Sequence, residues 1–369
     1  MTRQNRSTPV WKDPQMTSRP VPRRGLFVGA GSLLAAGVLS ACASEPEAPP
    51  APPKGPSAAE PTPVNTVEQF ETYVSEVNAA VLAADKKADV KKLAPRVTGS
   101  AVTFRKSAYA MIKKADEWAA FLSVPGESLI VPMTTVTAEF PRVAIALVED
   151  SKKDGVPYFM ALQQADAQSP YISWGWAQQA VGIEMPQVPN ELVGAEKVEV
   201  DSEDLLMTPA KALALYAKVL SNGDEDDPDD LLADDPFKLE RHEQIKTERK
   251  ELNAGVEKDE AATVKETYKV TDEEFVGLRT DDGGAIVMGT LTSTRTVSIK
   301  DGATMRYAED NAYTKVIGSK EFTKEYVRTY GAHVALFIPA KGAKGAKKGA
   351  TAQVQPIGAT LTTLGATGE

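Results

Sequence analysis

The chain holds one cysteine in 369 residues. That count excludes an internal disulfide, a thiolate cage for zinc and a redox dithiol pair. Histidine is almost as scarce: His242 and His333 are the only two, 91 positions apart. Neither belongs to a His-x-x-x-His metal spacing, no Gly-x-Ser-x-Gly elbow occurs, and no serine is expected to pair with either ring. His242 falls in a charged helical stretch and His333 in a strand-like one, so both read as structural residues. Positive charge is outweighed, 42 Lys and Arg against 51 Asp and Glu, for a formal net charge of -9. An acidic surface disfavours nucleic acid, which is bound by displacing counterions with positive charge.

What is present begins with an address. Residues 1–24 carry six basic residues and one acid, and an apolar run of 15 residues follows, Gly25 to Leu39. A basic segment, a short apolar run and small residues before a cut make a secretory signal peptide, here 1–41. A spanning helix needs about 20 apolar residues, so a transmembrane anchor is disfavoured. The tetrapeptide Leu39-Ser40-Ala41-Cys42 resembles the bacterial lipobox. That resemblance implies a diacylglyceryl thioether on the Cys42 sulfur and cleavage before Cys42, leaving a protein held by lipid on the outer face of the bacterial cytoplasmic membrane. Two acyl chains satisfy the rule that stable anchoring takes more than one lipid signal. Arg23-Arg24-Gly25-Leu26-Phe27 resembles a twin-arginine export signal, with Pro22 where that signal prefers Ser or Thr. An ordinary secretory segment ending in two arginines is the alternative. Loss of residues 1–41 takes the formal net charge from -9 to -14.

Residues 42–64 form a tether. Eight of the 22 residues from Ala43 to Val64 are proline, which favours extended polyproline II with a reach of up to roughly 70 Å at ~3.1 Å per residue.

The remainder divides into two stretches, 65–200 and 205–369, that share an organisation. Thr66-Val67-Glu68-Gln69 is a capping-box pattern, and Val67, Phe70, Val74, Val77 and Val81 then recur at helical spacing. In the second stretch Thr208-Pro209 opens a helix carrying Leu213, Tyr216 and Leu220. Further helical faces follow: Phe104, Ala108, Met111, Ala115, Trp118 and Leu122 in the first, and Phe237, Ile245 and Leu252 in the second. Strand-like patterns come next, at 129–137, 142–149, 156–164 and 171–179, then at 263–270, 274–279, 285–299, 313–317, 326–338 and 351–364. Lys152-Lys153-Asp154-Gly155 and Asp281-Asp282-Gly283-Gly284 read as hairpin turns. Helices first and antiparallel strands after imply an α+β fold of two tandem modules, each a curved antiparallel sheet behind its helices.

The passage Asn222 to Phe237, Gly-Asp and acids followed by Leu-Leu and Ala-Asp-Asp, resembles the nuclear-transport-factor-2-like (SnoaL-like) superfamily. Trp174-Gly175-Trp176-Ala177 followed by Pro186 and Pro189 is similar to actinobacterial lipoproteins of unknown function that pair two such modules. The resemblance implies cone-shaped modules able to enclose an apolar pocket, with an extended hairpin near 313–338. It places no catalytic residue here.

Three features remain. Asp224 to Asp235 holds eight acids, but Pro228 breaks the ligand series and Asp229 stands where a calcium loop needs glycine, so a solvated loop is expected. Lys341 to Gly349 lacks the P-loop order and reads as a hairpin loop. Trp174, Trp176 and Tyr171 are candidate pocket residues, with alternation placing the two tryptophans on one face. The expectation is a lipid-anchored, non-catalytic binding or accessory module without cofactor or metal. Its partners would be the membrane through Cys42 and an envelope protein or apolar ligand. The alternatives are an isomerase or dehydratase working in a cone pocket, and the substrate-binding lipoprotein of a transporter.

Overall fold

The computed structural model describes residues 62–345 and 352–369. The described residues form one compact unit. Its order is α1 (Val67–Asp85), α2 (Gly99–Ile112), β1 (Pro125–Thr134), β2 (Arg142–Asp150), β3 (Tyr158–Gln164) and β4 (Ile172–Gln178), then α3 (Pro209–Asn222), α4 (Pro236–Leu252), β5 (Ala262–Arg279), β6 (Ala285–Ile299), β7 (Met305–Arg306), α5 (Ala312–Ile317), β8 (Glu321–Phe322), β9 (Glu325–Ile338) and β10 (Gln355–Gly368). The fold is α+β, and two helices followed by four long antiparallel strands occur twice.

Local chemistry sets the helix ends. Thr66 and Gln69 form the capping box that opens α1, which buries Phe70, Val74, Val77 and Val81. Thr208 caps α3 with Pro209 at its first turn, and Asp235 caps α4 with Pro236 there.

The first sheet has order β1-β2-β3-β4 and the second β10-β9-β6-β5. One face of the first, with Ala144, Ala146, Met160 and Leu162, packs under α1 and α2. Its other face, with Ile145, Phe159 and Ala161, meets Ile286, Met288, Ala335 and Ile357 of the second sheet. The far face of the second sheet, including Val287, Leu291, Val334 and Leu336, packs under α3. The layers therefore run helix, sheet, sheet, helix. Both faces of each sheet are covered, which is why β2 and the centre of β9 read as unbroken apolar runs rather than alternations. Burying each Ile, Leu or Phe of the shared layer contributes about 1.5–3 kcal/mol.

The two sheets are also joined at their edges. Ala180 N–H donates to the Ile357 carbonyl at 2.7 Å, beside a bridge from Gln179 to Gly358. At the opposite edge the connector 195–198 pairs with both sheets: Ala195 N–H donates to Thr134 and Val198 N–H to Gly277, each at 2.9 Å. Backbone groups that edge strands leave open are thereby satisfied.

Three details differ from the sequence reading. Residues 263–270 and 274–279 are one strand, β5, with a register shift between Thr271 and Phe275. Residues 313–317 are the helix α5, not a strand. Their Thr, Val and Ile suit a strand, but Asn311 and Thr314 close a capping box and Gly318, at φ 84°, ends the helix. Third, Trp174 and Trp176 do not share a face. A bulge in β4 between the pairs Ala161–Gly175 and Leu162–Ser173 inserts one residue. Trp174 consequently packs between the sheets and Trp176 under the helices. The turns at 152–155 and 281–284 form as read, with Asp154 at φ 60° and Gly283 at φ 80°.

Candidate functional site

The acids of 224–235 serve the backbone and nearby lysines. Asp224 and Asp234 contact Lys238, Asp226 contacts Lys218, and Asp227 accepts from the Leu231 and Leu232 N–H groups. Among the described residues, no group of three or more His, Cys, Asp or Glu is placed to hold a metal. Part of the Lys341–Gly349 segment, and Arg23, Arg24, Leu39, Ser40, Ala41 and Cys42, lie outside the described residues. Among the described residues no helix is long and apolar enough to cross a membrane. Tyr171, Trp174 and Trp176 are all buried; Tyr171 stacks on Tyr73 with centroids 4.7 Å apart. None of the three lines the cavity described below.

One expectation is overturned. A serine does pair with a histidine: Ser100 Oγ lies 2.8 Å from His333 Nε2, across 233 positions of sequence. Ser100 sits in the first turn of α2. His333, Thr290 and Glu274 project from the second sheet toward it. The Glu274 carboxylate accepts from Ser100 N–H and the Ser100 hydroxyl, and Thr290 Oγ1 donates to it at 2.7 Å. Thr98, the residue that precedes α2, makes no side-chain cap, so Glu274 caps this helix from the other half of the molecule. Gly99 is needed there: it stands at φ 58°, and a Cβ would lie 1.9 Å from Glu274 Oε1.

This constellation lacks the layout of a nucleophilic triad. Glu274 contacts the serine rather than orienting the imidazole. His333 is enclosed by Phe104, Trp174, Trp176 and the Cα of Gly175. Burial, reinforced by the charge of Arg105, drives its pKa down to about 3, against the pull of a Trp176 backbone contact. The ring stays neutral and sealed. The cluster is a polar clasp between the halves.

The chemistry that meets a cavity lies elsewhere. A cavity of about 500 Å³ opens between the segment after α2, α5 and the second sheet. Its wall is apolar: Met111, Trp118 and Leu122 come from one half and Tyr313 from the other, with the Trp118 and Tyr313 rings edge to face at 4.8 Å. Trp118 Nε1–H also donates to the Ala312 carbonyl at 3.1 Å, so the α5 wall is fixed by the opposite half.

Its floor is cationic. Arg241 of α4, Arg295 of β6 and Arg328 of β9 line it. Glu266, Arg295 and Arg328 form one cross-strand row through β5, β6 and β9. Glu266 is fully enclosed: it accepts two bonds from Arg241 Nη2 at 2.8 and 2.9 Å, one from Arg295 Nε at 2.7 Å and one from Ser293 Oγ at 2.8 Å. Glu248 of α4 bridges Arg295 and Arg328. The Arg328 guanidinium also lies over the Tyr326 ring at 4.7 Å, and that of Arg241 over Tyr330 at 4.8 Å.

Burial alone would raise the pKa of Glu266, but Arg241 and Arg295 outweigh it and hold the carboxyl below its usual range. Burial would lower Arg241 and Arg328, yet Tyr268 and Glu266 at the first and Tyr330 and Glu248 at the second push both up. Burial, with Tyr330 next, pushes the Tyr313 hydroxyl up. Each group at this cavity that shifts thus moves away from neutrality. The arrangement can bind charge.

Sequence reasoning missed all of these residues. The available signal was parity: within β6, Arg295 shares the phase of the buried Val297 and Ile299 and alternates with the exposed Thr294 and Ser298. A charged residue on the inward phase of a strand marks a buried partner.

Residues 61–367 match the family described as a domain of unknown function, DUF8094, and the chain belongs to that family. No curated protein and no solved structure matches it.

Proposed function

We propose that the protein is a lipid-anchored, non-catalytic binding protein on the outer face of a bacterial cytoplasmic membrane, and that its ligand site is the arginine-floored cavity between its two halves. The observation that carries the reading is that both halves are needed to build one cavity with an apolar wall and a buried charged floor. Ligand sites are commonly of this kind, a largely apolar enclosure with a few fixed polar groups. The anchoring half rests on Leu39-Ser40-Ala41-Cys42 behind a basic and apolar leader, followed by the proline-rich tether. The directions in which Arg241, Arg328, Glu266 and Tyr313 shift, each away from neutrality, favour binding over an isomerase or dehydratase.

The test is retention of a small molecule. The full chain carrying Cys42→Ala is purified without denaturant and its extractable small molecules are compared with those of the same chain carrying Trp118→Ala and Tyr313→Ala. A compound held by the first and lost from the second is expected. Equal recovery from both places binding away from this cavity and sinks the reading.

A further inference from the structure

Three arginines line the cavity floor, two carboxylates outside its lining pair with them, and all five side chains are at most 17% exposed. Among these five groups the guanidiniums outnumber the carboxylates by one. Charge in a poorly solvated place is costly unless it is paired. The donors are in surplus too. Arg295 Nη2, ion-paired with Glu266 Oε2 at 2.7 Å, and Arg328 Nε are both enclosed and make no hydrogen bond within the protein. Arginine forks match the two oxygens of a carboxylate or phosphate.

The surroundings fix the rest of the ligand. Trp118, Tyr313, Met111 and Leu122 offer apolar surface beside the floor, and Phe121, 67% exposed, stands at its rim. An aromatic left in solvent at a cavity mouth suits a ligand whose tail leaves the cavity along it. On the other side of Arg295 and Arg328 a second groove carries Glu240, Glu243, Glu248 and Glu251. An anion is repelled there, so its route to the arginines runs past the aromatics.

We propose that the cavity takes an amphiphile with one singly charged oxyanion head, a carboxylate or phosphate ester, seated against Arg295 and Arg328, and an apolar body lying along Trp118 and Tyr313. The proposal rests on the reading of this cavity as the ligand site and adds the ligand's chemistry.

Four probes of one chain length separate the outcomes: decanoate, decyl phosphate, decanol and decylamine, each titrated calorimetrically into the full chain carrying Cys42→Ala. Decanoate or decyl phosphate is expected to bind at least about tenfold more tightly than decanol, the ratio between the two acids distinguishing carboxylate from phosphate recognition. Arg328→Gln is expected to abolish the preference while leaving decanol binding in place. Phe121→Glu, at an exposed position that leaves the core intact, is expected to weaken the anions several-fold and decanol less, should the arginine variant fail to fold. Equal binding of decanoate and decanol, or tighter binding of decylamine, overturns the head-group assignment and leaves the cavity reading intact. Failure of all four probes to bind overturns both.

Discussion

Arg295 and Arg328 face each other directly across β6 and β9, two like charges in one cross-strand pair, and Glu248 bridges them from α4. Like charges directly opposite destabilise a sheet. The pair persists because Glu266 holds Arg295, Glu248 contacts both guanidiniums, and Arg328 rests on the Tyr326 ring.

Glu248→Gln should therefore be more damaging than an ordinary helix-surface change. It leaves two buried guanidinium groups facing each other with one carboxylate fewer. Breaking a buried ion pair costs about 3–5 kcal/mol, an upper bound here because Glu248 is partly exposed. Urea unfolding midpoints should show a loss of at least about 1 kcal/mol. Adding Arg328→Met, which removes one of the two facing charges, should recover part of it. A neutral outcome for Glu248→Gln would show that the arginines are already compensated.

His333 gives the fold a weakness in mild acid. Its pKa is about 3 when folded and about 6.5 when unfolded. Between those values the unfolded chain binds the extra proton, so stability is complete above about pH 6.5 and declines as pH falls toward 3. The decline amounts to roughly a few kcal/mol in all. His333→Gln should flatten the dependence between pH 7 and pH 5, read from urea midpoints at each pH. Glu266, held below its usual range, acts lower: its contribution is present above about pH 4.3 and is lost as pH falls through the folded value. A wild-type profile that is flat from pH 7 to pH 5 would contradict the enclosed ring.

Gly331 lies under the Phe104 ring, where a Cβ would come within 2.2 Å of it. Gly331→Ala should cost about 1–3 kcal/mol by overpacking. Combining it with Phe104→Leu should cost less than the separate effects added together, because the smaller side chain yields the needed space. Strict additivity in the double-mutant cycle would mean that the two residues do not touch.

Cys42→Ala should release the protein from membranes into the medium and abolish incorporation of a fatty-acid probe. Equal labelling of the variant and the wild type rules out acylation at this thiol.

The helices α1 and α3 and the strands β2, β3 and β6 were legible in sequence because local chemistry agrees with tertiary placement: caps at Thr66 and Thr208, helical stripes, and apolar runs of strand length. The misreadings have different sources. At Trp174 the bulge shows only in the pairing of β4 with β3, and no residue inside the segment announces it. At Tyr313 a strand-like composition is overruled by the capping box at Asn311 and the glycine at 318. The cavity was illegible for a stronger reason. Arg241, Glu248, Glu266, Arg295 and Arg328 span 87 positions from first to last, and each alone resembles a solvated charge. Only the register of β5, β6 and β9, with α4 packed against that sheet, brings them together. The pairing of Ser100 with His333 was hidden in the same way.

The connector 195–198 pairs with β1 on one side and β5 on the other. Cutting the chain there would not release two small proteins. Each fragment would present the inner face of its sheet, the apolar surface that Phe159 and Ile286 now share, together with a strand edge stripped of its partner. Such pieces associate with copies of themselves. A proteolytic nick in this connector is thus a route to insoluble material, and stretches that repeat along the sequence would have to be expressed together to stay in solution.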